Sequence, residues 1–217
     1  SKYKLTIILC AGLKKIMKAL INQTLTKIKN KILPQKESRL IITKETDAVL
    51  KPRVHIGCGP INLEGWINID ARDAAHVHIN TDVIDLIDFA DNSVGEIYLC
   101  HVLEHFNFEE VKLVLDVFYK KLQPGGILRL SVPDFNLLSE SYFKNKVPLK
   151  SLKYALMGGQ DYEYNFHKSI YDLETMSEVL AEAGFRDSQE YDTVEDFGID
   201  LGDWSTGEVG KFPVSLN

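Results

Sequence analysis

The run Arg53–Asp70, RVHIGCGPINLEGWINID, decides the fold. Val54 to Ile56 reads as a short apolar strand, Gly57-Cys58-Gly59-Pro60 as a turn, and Trp66 to Ile69 as a second strand closing on Asp70. Glycines directly after a buried strand let the backbone approach a ligand, and a carboxylate ending the next strand can accept hydrogen bonds from a ribose diol. That is the pattern of a nucleotide-like site. Parallel neighbours normally need a crossover of about a dozen residues, and far fewer separate Pro60 from Trp66. Either the crossover helix is reduced to a turn, or the two strands are not parallel neighbours.

Downstream, Val77 to Ile79 is a third strand, followed by Thr81-Asp82, and the polar turn Asp91-Asn92-Ser93 introduces a fourth, Glu96 to Cys100. His101 to Glu104 crosses into a helix running to about Leu122, with Val111, Leu113, Val114, Val117 and Phe118 apolar. Gln123-Pro124-Gly125-Gly126 ends it, and Ile127 to Val132 is a fifth strand stopping at Pro133-Asp134. Alternating strands and helices predict an open parallel sheet. Phe135 to Ser169 breaks that rhythm with an aromatic-rich insert, too irregular for one element, and as a strand-to-helix connection at the carboxyl edge it is a candidate lid or acceptor pocket. Asp172 to Ala183 is a further helix stopped by Gly184, Phe185 to Tyr191 an outer strand, and Phe212 to Leu216 the start of a last strand cut short at Asn217.

Upstream, Leu9, Leu13, Ile16 and Leu20 share one helical face with Lys14, Lys15 and Lys18 opposite, so residues 9–30 form a basic amphipathic helix. Such a helix can dock on the domain, self-associate with a second copy, or lie on a membrane surface; a nucleic-acid contact is a further use. Pro34 and Gln35 to Arg39 read as a linker, and Leu40 to Thr43 as a short strand. The expected organisation is a basic helical extension and linker over 1–52 and a catalytic domain over 53–217, with the insert at 135–170.

The 217 residues are 45% hydrophobic, enough for one α/β domain with an appendage. The net charge of −6 is uneven: through Arg53 there are 13 basic residues against 3 acids, and the remainder has 12 against 28. A body this acidic is a poor polyanion binder, which disfavours nucleic acid as substrate. Cys10, Cys58 and Cys100 are scattered and lack metal spacing, as expected of reduced thiols in a cytoplasmic protein. No apolar run approaches the ~20 residues of a membrane span. Leu5 to Leu13 has the look of a signal segment but no small-residue cleavage site, so the chain reads as not secreted.

Taken together, Gly57-Cys58-Gly59, Asp70, Asp82, Asp91-Asn92-Ser93, His101-Val-Leu-Glu-His105, Leu122-Gln-Pro-Gly-Gly126 and Glu182-Ala-Gly-Phe185 resemble the small class I S-adenosylmethionine-dependent methyltransferases over residues 53–217. The resemblance implies a Rossmann-like sheet of seven strands in the order 3-2-1-4-5-7-6, the last antiparallel, with helices on both faces. It implies S-adenosylmethionine as cofactor, with Gly57, Cys58, Gly59 and Pro60 near the methionine part, Asp70 and Ala71 at the ribose, Asp82 and Val83 by the adenine, and His101 bordering the cofactor. Two positions depart from the family: its acid before the first glycine and its third glycine are here His55 and Ile61.

A sulfonium makes its methyl electrophilic, so the protein has mainly to align an acceptor and exclude water. A hydroxyl acceptor also needs a base, for which His167, His101 and Asp134 are the candidates. The expected reaction is O-methylation of a small molecule without a metal. A sugar or polysaccharide precursor is the expected acceptor, by resemblance to stand-alone bacterial enzymes with a His-Lys segment before their last helix, here His167-Lys168. Three other readings compete. His101-x-x-Glu104-His105 matches a zinc-peptidase pattern, but that needs both histidines on one helix, whereas a strand precedes; Glu104 and His105 are expected to cap and pack the helix start. A nicotinamide-dependent oxidoreductase would want a third glycine where Asn62 stands and a helix to hold a pyrophosphate. The last is a non-catalytic interaction module on the same fold.

Overall fold

A computed structural model describes residues 51–82, 86 and 89–217. The amphipathic helix at 9–30, the strand at Leu40–Thr43 and Val83 lie outside the described residues. The strands are β1 (Arg53–Ile56), β2 (Ile67–Asp70), β3 (Ile79–Asn80), β4 (Val94–Cys100), β5 (Leu122–Pro133), β6 (Glu208–Val209), β7 (Phe212–Pro213) and β8 (Ser215–Leu216). The main sheet has six strands in the order β3-β2-β1-β4-β5-β8. All its pairings are parallel except β8 on β5.

Side chains alternate across the sheet. Val54, Ile56, Ile69, Ile97 and Leu99 face one core, against Val111, Val114, Leu115 and Phe118 of α1 (Phe108–Lys121) and Met176 of α4 (Leu173–Glu182). Asn107 starts α1 with a capping box, its side chain accepting from Glu109 N and Glu110 N while Glu110 accepts from Asn107 N. The cap is therefore Asn107, and Glu104 and His105 sit before the helix in a single 3-10 turn, Leu103–His105. Asp172 caps α4, and Gly184 (φ +101°) follows its end.

On the opposite face lie Leu63, Trp66, Tyr98 and Leu201, with Phe197 of the short helix α5 (Thr193–Phe197) packed against them. This explains the short crossover. β1 and β2 are parallel neighbours, in register Val54 to Ile67 and Ile56 to Ile69, so the crossover helix is reduced to the turn 57–66. Leu63 and Trp66 fill the space a helix would cover, and a polar set completes it: Asn68 joins His55 Nδ1 (3.2 Å), Asn62 Oδ1 (2.8 Å) and Leu63 N (3.4 Å).

Two expectations need correction at the other edge. Phe185 to Tyr191 forms no strand, so the sheet has six strands rather than seven: Asp187 sits at φ +59°, its neighbours are exposed and polar, and one backbone bond, Tyr191 N to Asn217 O (3.3 Å), spans the gap to the last strand. Phe212 to Leu216 is divided. Phe212–Pro213 pairs with β6 in a separate hairpin, and Ser215–Leu216 pairs with Val132 and Pro133 of β5. The insert is more regular than its composition implies, with α2 (Phe135–Phe143) and α3 (Leu149–Met157) joined through Leu138, Leu152 and Val214. Among the described residues no helix is long and apolar enough to cross a membrane.

Buried His55 stacks on Tyr98 at 5.2 Å, and burial lowers its pKa to about 4. The unfolded chain binds that proton near its ordinary 6.5, so stability should fall as pH drops from about 6.5 to about 4, by up to about 1.4 kcal/mol per pH unit from this group. Urea unfolding across that range should show the fall, and His55→Gln should make it shallower. Gly57 has φ +62°, and a Cβ there would stand 2.4 Å from Val102 Cγ2; Gly59 has φ +53° but its nearest neighbour is Arg72 Nη2 at 3.5 Å. Both alanine variants carry the left-handed strain, and Gly57→Ala should cost roughly 1–3 kcal/mol more by overpacking. Equal unfolding midpoints for the two would contradict this.

Candidate active site

Because the β1, β2 and β4 strands run parallel, their carboxyl ends share one edge, and the site is built there. The turn after β1 is pinned to β2 by Cys58 N donating to Ile69 O (3.1 Å) and Gly59 N donating to Asp70 Oδ2 (2.8 Å). The other Asp70 oxygen accepts from Arg72 N (2.8 Å) and Arg72 Nε (3.2 Å), and the Arg72 guanidinium lies 5.6 Å from the Tyr162 ring centre. His76 Nε2 is 2.8 Å from Gly59 O and so donates to it. Burial pushes the Cys58 thiol up to about 11 and raises Cys100 as well, so neither is a nucleophile at neutral pH.

Two adjoining hollows open at this edge. The larger, about 520 Å³, is lined by the Gly57–Ile61 turn, His101, His105 and His167, with Tyr154, Tyr162 and Trp204 closing its sides. The smaller, about 140 Å³, takes in Asp70, Ala71, Asp82, Val102 and Tyr164. Gly57, Arg72, His101, His105 and Tyr162 border both. A third hollow, about 470 Å³, lies along the edge left open beside β8 and contains none of the expected site residues.

His101 directly follows β4 with φ +52°, a left-handed backbone that turns its ring away from the strand. Ser215 Oγ donates its single proton to Trp204 O (2.6 Å), so the contact of 2.8 Å between His101 Nε2 and Ser215 Oγ has the imidazole as donor. His101 Nδ1 then carries a lone pair, 3.3 Å from Glu104 Oε1. His167 Nδ1 donates to Ala155 O (3.1 Å), leaving Nε2 unprotonated 3.8 Å from the same Glu104 oxygen. His105 Nδ1 donates to Phe166 O (3.3 Å), and its ring meets that of His167 edge to face at 4.8 Å. Burial drives His101 to about 3 and His167 to about 4, the latter helped by His105, so these rings are neutral. Glu104 is 1% exposed, neither of its carboxylate oxygens has a hydrogen-bond partner, and burial raises its pKa to about 8.

Of the expected residues, the structure brings together Gly57, Cys58, Gly59, Pro60, Asp70, Ala71, Asp82, His101 and His167 around the two hollows. Asp134 lines neither; its carboxylate accepts from Asn136 N (2.8 Å) and caps α2. Sequence reasoning missed Arg72 and Trp204, and gave Glu104 and His105 a capping role they do not have. The signal for the last two was the His-x-x-Glu-His spacing itself. The peptidase geometry is absent, since His101 directly follows a strand and is not on a helix with His105. No helix follows the glycine turn to receive a pyrophosphate, which removes the structural basis of the oxidoreductase reading.

A family model described as a methyltransferase domain matches residues 64–130, from β2 into β5. No curated protein matches the sequence. Solved structures with a similar course include a SAM-dependent methyltransferase from Archaeoglobus fulgidus, 18% identical, with 68% of each chain covered and a TM-score of 0.46. Another is the Burkholderia thailandensis 1,6-didemethyltoxoflavin-N1-methyltransferase with bound 1,6-didemethyltoxoflavin and S-adenosylhomocysteine, 12% identical, covering 76% of this chain and 70% of that one, with a TM-score of 0.46. The methyltransferase-domain match runs from β2 into β5, within a parallel sheet in the order β3-β2-β1-β4-β5 that closes on an antiparallel last strand.

Proposed function

We propose that the chain transfers a methyl group from S-adenosylmethionine to a hydroxyl of a small molecule, with a sugar or polysaccharide precursor as acceptor. The supporting observation is the continuity of the two hollows, one holding the carboxylates Asp70 and Asp82, the other ending on three neutral histidines. When bound, the cofactor supplies a sulfonium methyl carbon open to attack.

The chain's own part is to hold and align. Asp70 keeps one lone pair, on Oδ2, beyond those given to Gly59 N and to Arg72 N and Nε, and it can accept from a ribose hydroxyl. Ala71 and Asp82 border the recess for the base, and the Gly57–Pro60 turn lies where the methionine part would pass. Transfer forms a bond from the acceptor oxygen to the methyl carbon, breaks the carbon–sulfur bond to leave a neutral thioether, and releases the hydroxyl proton. The lone pairs of His167 and its neighbours are the groups placed to polarise that hydroxyl. Tyr154 and Tyr162 of the 135–170 insert wall the cavity, which gives the insert the part of a lid that keeps water out. The unpaired Cys58 and Cys100 accord with a cytoplasmic location.

Calorimetry with S-adenosylmethionine and S-adenosylhomocysteine tests the reading, and no binding at high micromolar ligand would overturn it. Asp70→Ala should weaken cofactor binding by about 1–3 kcal/mol through the lost charge-assisted bonds. His167→Ala should lower turnover of hydroxylated acceptors at least tenfold with cofactor affinity nearly unchanged. Loss of both together would assign His167 a structural role.

A further inference from the structure

Glu104 poses a problem that methyl transfer alone does not solve. Two unpartnered carboxylate oxygens in a fully buried position are costly, and a native site normally satisfies them. The surroundings do not supply donors. Each of the three nearby imidazoles spends its N–H elsewhere, His101 on Ser215, His105 on Phe166 O and His167 on Ala155 O. This leaves one lone pair per ring, and those of His101 and His167 are within 3.3 and 3.8 Å of Glu104 Oε1. Lone pairs thus converge on one carboxyl group, whose own proton can serve only one of them. The complementary object is a cation.

We propose that Glu104, His105 and His167 bind a divalent first-row transition ion at the floor of the larger cavity, with His101 Nδ1 as a further donor beside Glu104. One donor atom from each of Glu104, His105 and His167 lies within 4.8 Å of the other two. Ligands about 2.1 Å from a shared ion stand roughly 3–3.5 Å apart, so small side-chain movements close the site. The outer partners are already in place, since ligating histidines characteristically give their second N–H to a carbonyl, carboxylate or water. The backbone also fixes the arrangement: Glu104 O accepts from Lys168 N (2.7 Å) and Ser169 N (3.2 Å), clamping the His167 segment to the 3-10 turn. Imidazole-rich donors with one carboxylate select zinc, iron, copper or nickel over magnesium, calcium or manganese.

Three or four protein ligands leave a coordination position facing the cavity, where His105 and His167 are part of the lining. An ion there would bind a hydroxyl oxygen, ease loss of its proton and fix its direction. That use rests on the methyl-transfer reading; the ion site itself does not. In the loaded form His167 acts as a ligand and positions the acceptor through the ion.

The test uses the full chain, stripped with chelator and titrated with cobalt(II) by visible absorption and with zinc(II) by calorimetry, with S-adenosylhomocysteine affinity measured on the same samples. One equivalent should bind, Glu104→Gln and His105→Asn should each weaken it by more than about tenfold, and the S-adenosylhomocysteine affinity of Glu104→Gln should stay within about twofold of the unsubstituted chain. Thermal melts keep the result interpretable, because Glu104→Gln removes a buried carboxyl without changing its shape and should leave the metal-free fold intact. No stoichiometric binding, or binding indifferent to both substitutions, overturns the site. Cofactor binding without metal binding would remove the site and leave the proposed function standing; metal binding without cofactor binding would do the reverse.

Discussion

The hydrogen bond from Gly59 N to the Asp70 carboxylate, at 2.8 Å, is the constraint on which the rest depends. It ties the turn after β1 to the end of β2 without a crossover helix between them. With Cys58 N on Ile69 O it makes the turn an extension of the sheet, so the glycine backbone and the acid present a single surface. A carboxylate held from both oxygens has little freedom to drift. Arg72, on the other Asp70 oxygen, adds a positive charge and carries the contact across to Tyr162 of the insert.

Much of the architecture was legible because local signals agreed with the global pattern. The apolar runs of β1, β2, β4 and β5 and the Asp172 cap of α4 each name an element, whereas Gly125-Gly126, expected to end α1, lie inside β5, which begins at Leu122 directly after the helix. Reasoning failed where tertiary partners decide. Phe185 to Tyr191 has the position of a strand, but Arg186 to Glu190 offer no apolar alternation and the two-residue β8 gives little ladder to extend. The α2–α3 pair was hidden by exposed aromatics such as Phe143 and Tyr154, which mask the few inward anchors, Leu138 and Leu152.

The site divides in the same way. The hollow lined by Asp70, Ala71 and Asp82 sits where strand order puts it, at the carboxyl edge of the sheet. The histidine half could not be placed from strand order, because His167 meets Glu104 only through the return of the insert onto the 3-10 turn, held by Lys168 N and Ser169 N on Glu104 O. Spacing shows that His101, Glu104 and His105 are near one another in sequence; only the packing shows that the carboxylate lies buried beneath the rings. Asp134 illustrates the converse: a strand-end acid looks catalytic until its partner turns out to be the helix it starts.

The left-handed backbone of His101 has a consequence for how this protein can change over time. The conformation favours glycine, asparagine and aspartate over other residues, so substitutions tolerated by the backbone at this position drop the imidazole while leaving β4 intact. The ring and the fold are therefore separable by one replacement. Descendants that keep the sheet but lose the ring would be well folded and would lack the imidazole that borders both hollows.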